Sequence, residues 1–315
     1  MRHPFGRIGV FLGGRSRERA ISLKSGRAVC QALRQAGLDV IAIDTANGFR
    51  SQLRQEPIDL AFLALHGKGG EDGSIQRFLE RSRIHYVGSS PTASALAFDK
   101  ARAKEAFRRS GIPTPPYDVL TRRDWIKKLE HWRPPYVVKP VCEGSSIGIF
   151  FVESGKDEQE GRKKIVERCG RYPQLIVEQK IEGREFTVGI LGDRALPVIE
   201  LRPKRSFYDY QAKYTKGLTD YLIPAPISVR FGNRLQSLAI KAHRLLSLRD
   251  LSRTDFKVDG RGNPFVLEVN SIPGFTETSL LPKAAKEAGL DFTKLCLNLV
   301  ELAHRRRIHE EEQGE

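Results

Sequence analysis

The chain predicts a mixed architecture: a parallel α/β unit first, then an α+β region. Three observations carry this. Apolar runs and amphipathic helical patterns alternate from residue 7 to about residue 97, the signature of strands joined by crossover helices. A proline-rich stretch, Gly111–Pro116, then interrupts the pattern. Beyond it, apolar strands come as neighbouring pairs and end in a hairpin near residue 261.

Taken in order, Arg7–Leu12 predicts a first buried strand, Gly13–Ser16 a turn, and Ala20–Ala36 an amphipathic helix stopped by Gly37. Asp39–Asp44 and Leu60–Leu65 predict further strands, and Ser74–Arg83 a helix. The helical pattern Thr92–Ser110 is interrupted near Asp99. After the linker come strands around Tyr136–Lys139 and Ile147–Val152, a helix near Glu158–Cys169 and a strand at Leu175–Gln179. From about Glu185 the pattern is mixed strands, a Tyr- and Lys-rich loop at Arg202–Tyr221, a helix at Asn233–Leu246, the hairpin, and a C-terminal helix. The tail His304–His309 reads as a frayed, solvated helix end.

The 315 residues suffice for two or three domains, and 40% hydrophobic with 29% charged content is ordinary for a soluble globular chain. No apolar run approaches the ~18 residues of a membrane span. The N-terminus lacks the length and cleavage site of a signal peptide. Four cysteines are scattered without a CxxC, which predicts reduced thiols and a cytoplasmic protein. A formal charge of +15 raises nucleic acid as a partner. Lys and Arg are spread along the whole chain, however, so the charge suits a small polyanionic substrate such as ATP better. Neither nucleic acid nor membrane is expected as a partner. No GxGxxG follows the first strand, which argues against hydride transfer with a dinucleotide.

The hairpin Arg253–Gly274 is the most informative segment. With Arg261-Gly262 as a two-residue loop, Asp255 falls opposite Glu268. Opposed residues have Cβ atoms roughly 5 Å apart. Asn270 and Arg253 share that face, so two carboxylates and an amide oxygen converge. These are hard ligands suited to magnesium completed by water and phosphate. The competing reading is a solvated hairpin face.

Lys139–Gly148 is a strand end followed by a small-residue loop whose N–H groups can approach phosphate, although a plain hairpin turn has the same composition. Leu65–Gly73 and Gly13–Glu18 both follow strand ends, where open α/β sheets bind ligands, so His66 and Glu18 can face one substrate. A lone histidine beside glycines is more often a structural hydrogen-bonder. Phe207–Tyr214 reads either as a lid or as aromatic packing beside a snorkelling lysine.

Six segments in order resemble the D-alanine–D-alanine ligase family of the ATP-grasp superfamily: Gly13–Leu23, His66–Gln76, Asp99-Lys100, Lys139–Gly148, Phe207–Tyr214 and Glu268–Gly274. The likeness runs from about Arg7 to Ala303. It implies an ATP-grasp fold preceded by an N-terminal Rossmann-like parallel α/β domain. Its units would be 1–98, binding the first substrate, 99–184, the central lid subdomain, and 185–315, with the metal site and substrate loop. It implies ATP-dependent ligation of two D-alanines through an acyl phosphate, for peptidoglycan precursors.

By the same resemblance, Lys100 and Lys139 contact ATP phosphates beneath the loop carrying Ser145 and Ser146. Glu178, Lys180 and Ile181 line the adenine site, Glu185 meets the ribose and Lys213 reaches the γ-phosphate. Asp255, Glu268 and Asn270 hold two Mg2+, with Mn2+ an acceptable substitute. Glu18 binds the first D-alanine's ammonium, beside His66. Arg253 and the Gly274 backbone stabilise the tetrahedral intermediate, and Ser279 binds the second carboxylate. A Glu18–Ser145–Tyr214 link latches the lid.

Three positions depart from the family pattern: Ala20 where a second glutamate is common, Phe275 in place of a methionine, and no glycine shortly before Arg253. Tyr214 favours the dipeptide. The alternative is a related ligase joining D-alanine to D-lactate, D-serine or another acceptor. Oligomeric state stays open, a homodimer included.

Overall fold

The computed structural model describes residues 4–153, 155–204 and 217–313. Lys213, Tyr214 and the Phe207–Tyr214 segment lie outside the described residues. Three sheets organise the chain. Sheet A is parallel, with order β2-β1-β3-β4, from β1 (Ile8–Leu12), β2 (Val40–Asp44), β3 (Leu60–Leu63) and β4 (His85–Val87). Helices α1 (Arg19–Gln35), α2 (Phe49–Gln55) and α3 (Ser74–Arg81) connect its strands. The continuous burial of β1 and β3 is that of parallel strands covered on both faces.

The interrupted pattern resolves into α4 (Pro91–Phe98) and α5 (Lys100–Arg109). Asp99 ends one and caps the other, accepting from Arg102 N at 3.0 Å. Sheet B is antiparallel, order β5-β8-β6-β7, from β5 (Tyr117–Thr121), β6 (Tyr136–Pro140), β7 (Phe150–Val152) and β8 (Gln174–Gln179). Helices α6 (Trp125–Leu129) and α7 (Gly155–Arg171) accompany it. Sheet C, also antiparallel, runs β12-β11-β9-β13-β14, from β9 (Arg184–Leu191), β11 (Ile199–Pro203), β12 (Thr219–Leu222), β13 (Leu251–Val258) and β14 (Pro264–Asn270). The short β10 (Arg194–Ala195) pairs beside β9. Then come α8 (Val229–Leu245), which precedes β13, and α9 (Leu280–Glu287) and α10 (Phe292–Gln313), which follow β14.

Sheets A and C share a core, in which Ile8, Val10 and Leu33 meet Leu251, Phe275, Leu281 and Leu299. The other face of sheet C packs on α4, α5 and α8 through Ala97, Phe107, Phe256 and Leu235. Sheet B has a core of its own, built from Leu120, Tyr136, Val138, Ile165 and Val177.

Two expectations need correction. The hairpin loop is not Arg261-Gly262 alone. Asp259 to Asn263 form a longer loop, closed by Asp259 N to Asn263 O at 3.1 Å and by Asp259 carboxylate bonds to Arg261 N and Asn263 N. A bulge follows: Asp255 pairs with Glu268, but Phe256 pairs with Val266, which leaves Leu267 as the extra residue. Nor is the tail a solvated end throughout. Arg306 donates to Asp250 Oδ1 at 2.5 Å and to the Tyr86 carbonyl at 2.7 Å, while Asp250 accepts from Gly88 N at 2.7 Å. No described helix is long and apolar enough to cross a membrane.

Candidate active site

The order of sheet A puts β1 beside β3, and their carboxyl-end loops meet at the point where the strand order reverses. Ser16 Oγ donates to the His66 carbonyl at 2.7 Å and ties the loops together. Helical spacing sets Glu18, Ser22 and Ser25 on one buried face at the start of α1. The Glu18 carboxylate accepts from Ser145 Oγ, which joins sheet A to the loop after β6. It lies between Gly67 and Gly144, where an added Cβ would stand 2.6 Å from Glu18 Oε2 at either position. The small residues in both loops therefore follow from the close approach of a buried carboxylate.

The cavity beside Glu18, about 190 Å3, is lined also by His66, Glu71, Ser145, Arg253, Asn270, Gly274 and Ser279. Glu71 accepts from Gly67 N at 2.8 Å. Burial, then the charge of Glu18, raises its carboxyl well above the ordinary range. Ser279 caps α9 by position, and its hydroxyl bonds Thr276 N at 3.1 Å and Thr276 Oγ1 at 2.9 Å.

The Gly144–Ile147 turn closes with Ile147 N to Gly144 O at 3.0 Å. Both central serines have positive φ, 48° for Ser145 and 60° for Ser146. Non-glycine residues in this region cost of order 1–3 kcal/mol each, and such strain collects at ligand clamps. The turn overhangs a second cleft, about 140 Å3, between sheets B and C. Val137, Phe151, Ile181 and Leu267 give it apolar walls, and Lys139, Glu178, Lys180, Glu185, Asp255 and Glu268 a polar rim. That combination suits a flat heteroaromatic ring carrying a charged tail. The bulge explains part of it, because Leu267 and Glu268 are successive residues yet both line the cleft.

Lysines concentrate where a tail would run. Lys139 Nζ lies 2.6 Å from Glu178 Oε1, and Lys104 Nζ 2.9 Å from Oε2. Burial alone would raise the Glu178 carboxyl, but the two lysines outweigh it and hold it below the ordinary range. Lys100 Nζ donates to the Glu143 carbonyl at 2.6 Å and sits 3.3 Å from Glu268 Oε2.

Arg253 grips Asp255 with two bonds of 2.8 Å. Thr187, opposite Asp255 on β9, donates to Oδ1 at 2.6 Å, and Asn270 Nδ2 lies 3.2 Å from Oδ2. Among the described residues no three of His, Cys, Asp or Glu cluster as a metal site. The set is instead two carboxylates, drawn towards Arg253 and Lys100, and the Asn270 amide, whose nitrogen turns to Asp255 and leaves its oxygen as a further ligand atom. With Arg253 and Lys100 already facing these two carboxylates, phosphate oxygens beside them call for added positive charge, and the oxygen set fits a hard divalent cation arriving with that ligand.

The structure thus gathers Glu18, His66, Ser145, Arg253, Gly274 and Ser279 around one cavity, and Lys139, Ser146, Glu178, Lys180, Ile181 and Glu185 around the other. Glu268 lines both. Lys100 stands beside them with Glu71 and Asn270. Sequence reasoning missed Lys104, Glu71 and Thr187. The first carried a signal: the buried stripe of α5, residues 100, 103, 104 and 107, contains two lysines.

Burial pushes the imidazoles of His66 and His243 down to about 4. The unfolded chain therefore takes up protons below ~6.5 that the folded protein refuses. Their contribution to stability is complete above that pH and is lost as the pH falls to about 4. Glu71, raised, acts oppositely: its contribution is lost as pH climbs above the carboxylate range. Urea midpoints at constant ionic strength should peak near pH ~6.5. Stability that keeps rising down to pH 5 would show that these imidazoles are not held neutral.

The fold is that of an ATP-grasp protein, with one cleft between two antiparallel sheets and a second cavity joined to it through one carboxylate. Residues 106–301 match the family described as D-ala D-ala ligase C-terminus, and residues 44–89 match D-ala D-ala ligase N-terminus. D-alanine--D-alanine ligase of Aquifex aeolicus is 44% identical over 289 residues, covering 92% of this chain and 98% of its own. That of Pelotomaculum thermopropionicum is 43% identical over 310 residues, covering 94% and 96%. The crystal structure of the Bacillus anthracis ligase complexed with ATP superposes with a TM-score of 0.82 at 30% identity, covering 96% and 99%. The chain belongs to the D-alanine–D-alanine ligase family.

Proposed function

We propose that this enzyme joins two D-alanines into D-alanyl-D-alanine, with ATP converted to ADP and phosphate, to supply a peptidoglycan precursor. The observation that carries the reading is the sharing of Glu268 by the amino-acid cavity and the nucleotide cleft. A carboxylate held in one can then meet the terminal phosphate of a nucleotide held in the other.

A carboxylate is a poor electrophile. Phosphorylation turns one of its oxygens into a leaving group, and the amine of the second D-alanine attacks the acyl phosphate. Phosphate departs and the amine loses a proton. In this scheme Glu18 receives the first ammonium beside His66, and Ser279 the second carboxylate. Arg253 and the Gly274 backbone face the tetrahedral oxygen, a preorganised arrangement that needs no reorientation during reaction. Lys100 and Lys139 neutralise phosphate oxygens under Ser145 and Ser146, with Lys213 at the γ-phosphate. Glu178, Lys180 and Ile181 recognise adenine, and Glu185 the ribose. Tyr214 completes the latch begun by Glu18 and Ser145. Asp255, Glu268 and Asn270 would hold two magnesium ions, which supply Lewis-acid charge on phosphoryl oxygens. Residues 1–98 would serve the first substrate, 99–184 the lid, and 185–315 the metal and second substrate.

With ATP, magnesium and D-alanine, mass spectrometry should find D-alanyl-D-alanine with equimolar ADP and phosphate. AMP with pyrophosphate would overturn the acyl-phosphate route. Faster turnover with D-serine or D-lactate as the second substrate would overturn the assignment of D-alanine.

A further inference from the structure

Ser25 occupies the buried face of α1, fully shielded from solvent, and no role in the reaction as described draws on it. Its hydroxyl contacts two loops at once. It lies 3.2 Å from His66 Nε2 and 3.3 Å from the Phe275 N–H, which donates to it. The Ile272 carbonyl lies on the other side of the ring and favours a proton there. With Nε2 turned to Ser25, that proton falls to Nδ1. A neutral imidazole has one donor and one acceptor, so Nε2 accepts, Ser25 O–H donates to it, and the Ser25 lone pair accepts from Phe275 N–H. Every polar group in the chain of bonds has a partner of the right sense.

We infer that Ser25 and His66 are positioning residues that set the Ile272–Phe275 loop, and with it the Gly274 backbone aimed at the reaction centre. This rests on the ligase reading above. Ser25 holds the loop at Phe275, the residue after Gly274, and His66 holds Ser25 in turn. The amide bonded to Ser25 is the one that follows the Gly274 Cα, so its orientation fixes ψ at a residue with no Cβ to restrict it. The Phe275 ring adds the third anchor, packed against Phe62 and Phe292 with centroids 5.5 Å away in each case. With Nε2 engaged by Ser25, His66 bears on the cavity through the loop as well as by lining it.

The test compares Ser25→Ala with Ser22→Ala. Ser22 is equally buried on the same helix, but its hydroxyl donates to the Ala64 carbonyl at 2.7 Å and touches no part of the loop. Ser25→Ala should lower kcat/KM for D-alanine about tenfold, the scale of one lost hydrogen bond at a positioned group. KM for ATP should stay within about twofold, since the nucleotide cleft is elsewhere. Ser22→Ala should leave the D-alanine kinetics unchanged. Independently of catalysis, hydrogen exchange of the Phe275 amide should quicken in Ser25→Ala and not in Ser22→Ala. Unchanged exchange at Phe275 overturns the inference whether or not the enzyme ligates D-alanine. So do unaltered D-alanine kinetics in Ser25→Ala beside an active wild type, or equal kinetic losses in both variants. A wild type inert with D-alanine would sink the ligase reading and leave the exchange result to decide the loop's anchoring.

Discussion

Glu268→Gln should lower turnover by at least ~10²-fold while leaving the fold intact, on the scale of losing one preorganised charge partner. The substitution keeps shape and removes charge. Glu268 lines both cavities, stands opposite Asp255 and lies 3.3 Å from Lys100 Nζ. An amide there cannot offset Lys100 or hold a divalent cation as a carboxylate does. Its side chain is 26% exposed, and Lys100 keeps its bond to the Glu143 carbonyl, so the melting temperature should change little. ADP release at saturating ATP and magnesium, measured beside thermal melting, decides the matter. Turnover within threefold of wild type would remove Glu268 from the reaction centre.

Arg253→Lys should cost about 10²-fold in kcat, despite conserving charge, because a single ammonium cannot reproduce a planar fork. The guanidinium makes two 2.8 Å bonds to Asp255 and borders the cavity beside Glu18. A lysine would reach one carboxylate oxygen, lose the fixed direction of its remaining donors, and leave Asp255 free to tilt. KM for ATP should move less than kcat, because Arg253 does not line the cleft between sheets B and C and reaches it only through Asp255. Steady-state kinetics with each substrate varied in turn separates the two. A rise in KM for ATP with kcat preserved would mean that Arg253 serves nucleotide binding instead.

The hairpin shows how far residues alone could carry the site. Asp255 does oppose Glu268, but the expected two-residue loop was wrong. The real loop is longer, and the Leu267 bulge takes up the difference, so two local errors cancelled at the position that matters. Thr187 was invisible for another reason. It reaches Asp255 from a strand 68 residues away in sequence, and nothing in an alternating pattern says which strand lies alongside. Glu71 and Lys104 are charged residues whose burial depends on tertiary packing, the property a single sequence conveys least well. The short elements β4, β5, α2 and α6 were missed because they are brief and rich in polar residues, where periodicity has too few positions to register. Arg306 looked like one of a solvated run because its partner, Asp250, lies 56 residues upstream. The longer elements and the loops at strand ends were legible, because strand ends in an open sheet are where side chains converge.

Sheet B keeps an apolar interior to itself, whereas sheets A and C are fused through a common one. Its described ties to the rest at the site include polar ones: Glu178 to Lys104, Lys100 to the Glu143 carbonyl, and Ser145 to Glu18. Bonds of that kind can be exchanged for water one at a time, whereas prising apart a greasy seam exposes its whole area at once. The middle of the molecule is thus built like a door on wet hinges. Parting it from the frame would exchange those few polar contacts for hydration and would leave the shared core of sheets A and C intact.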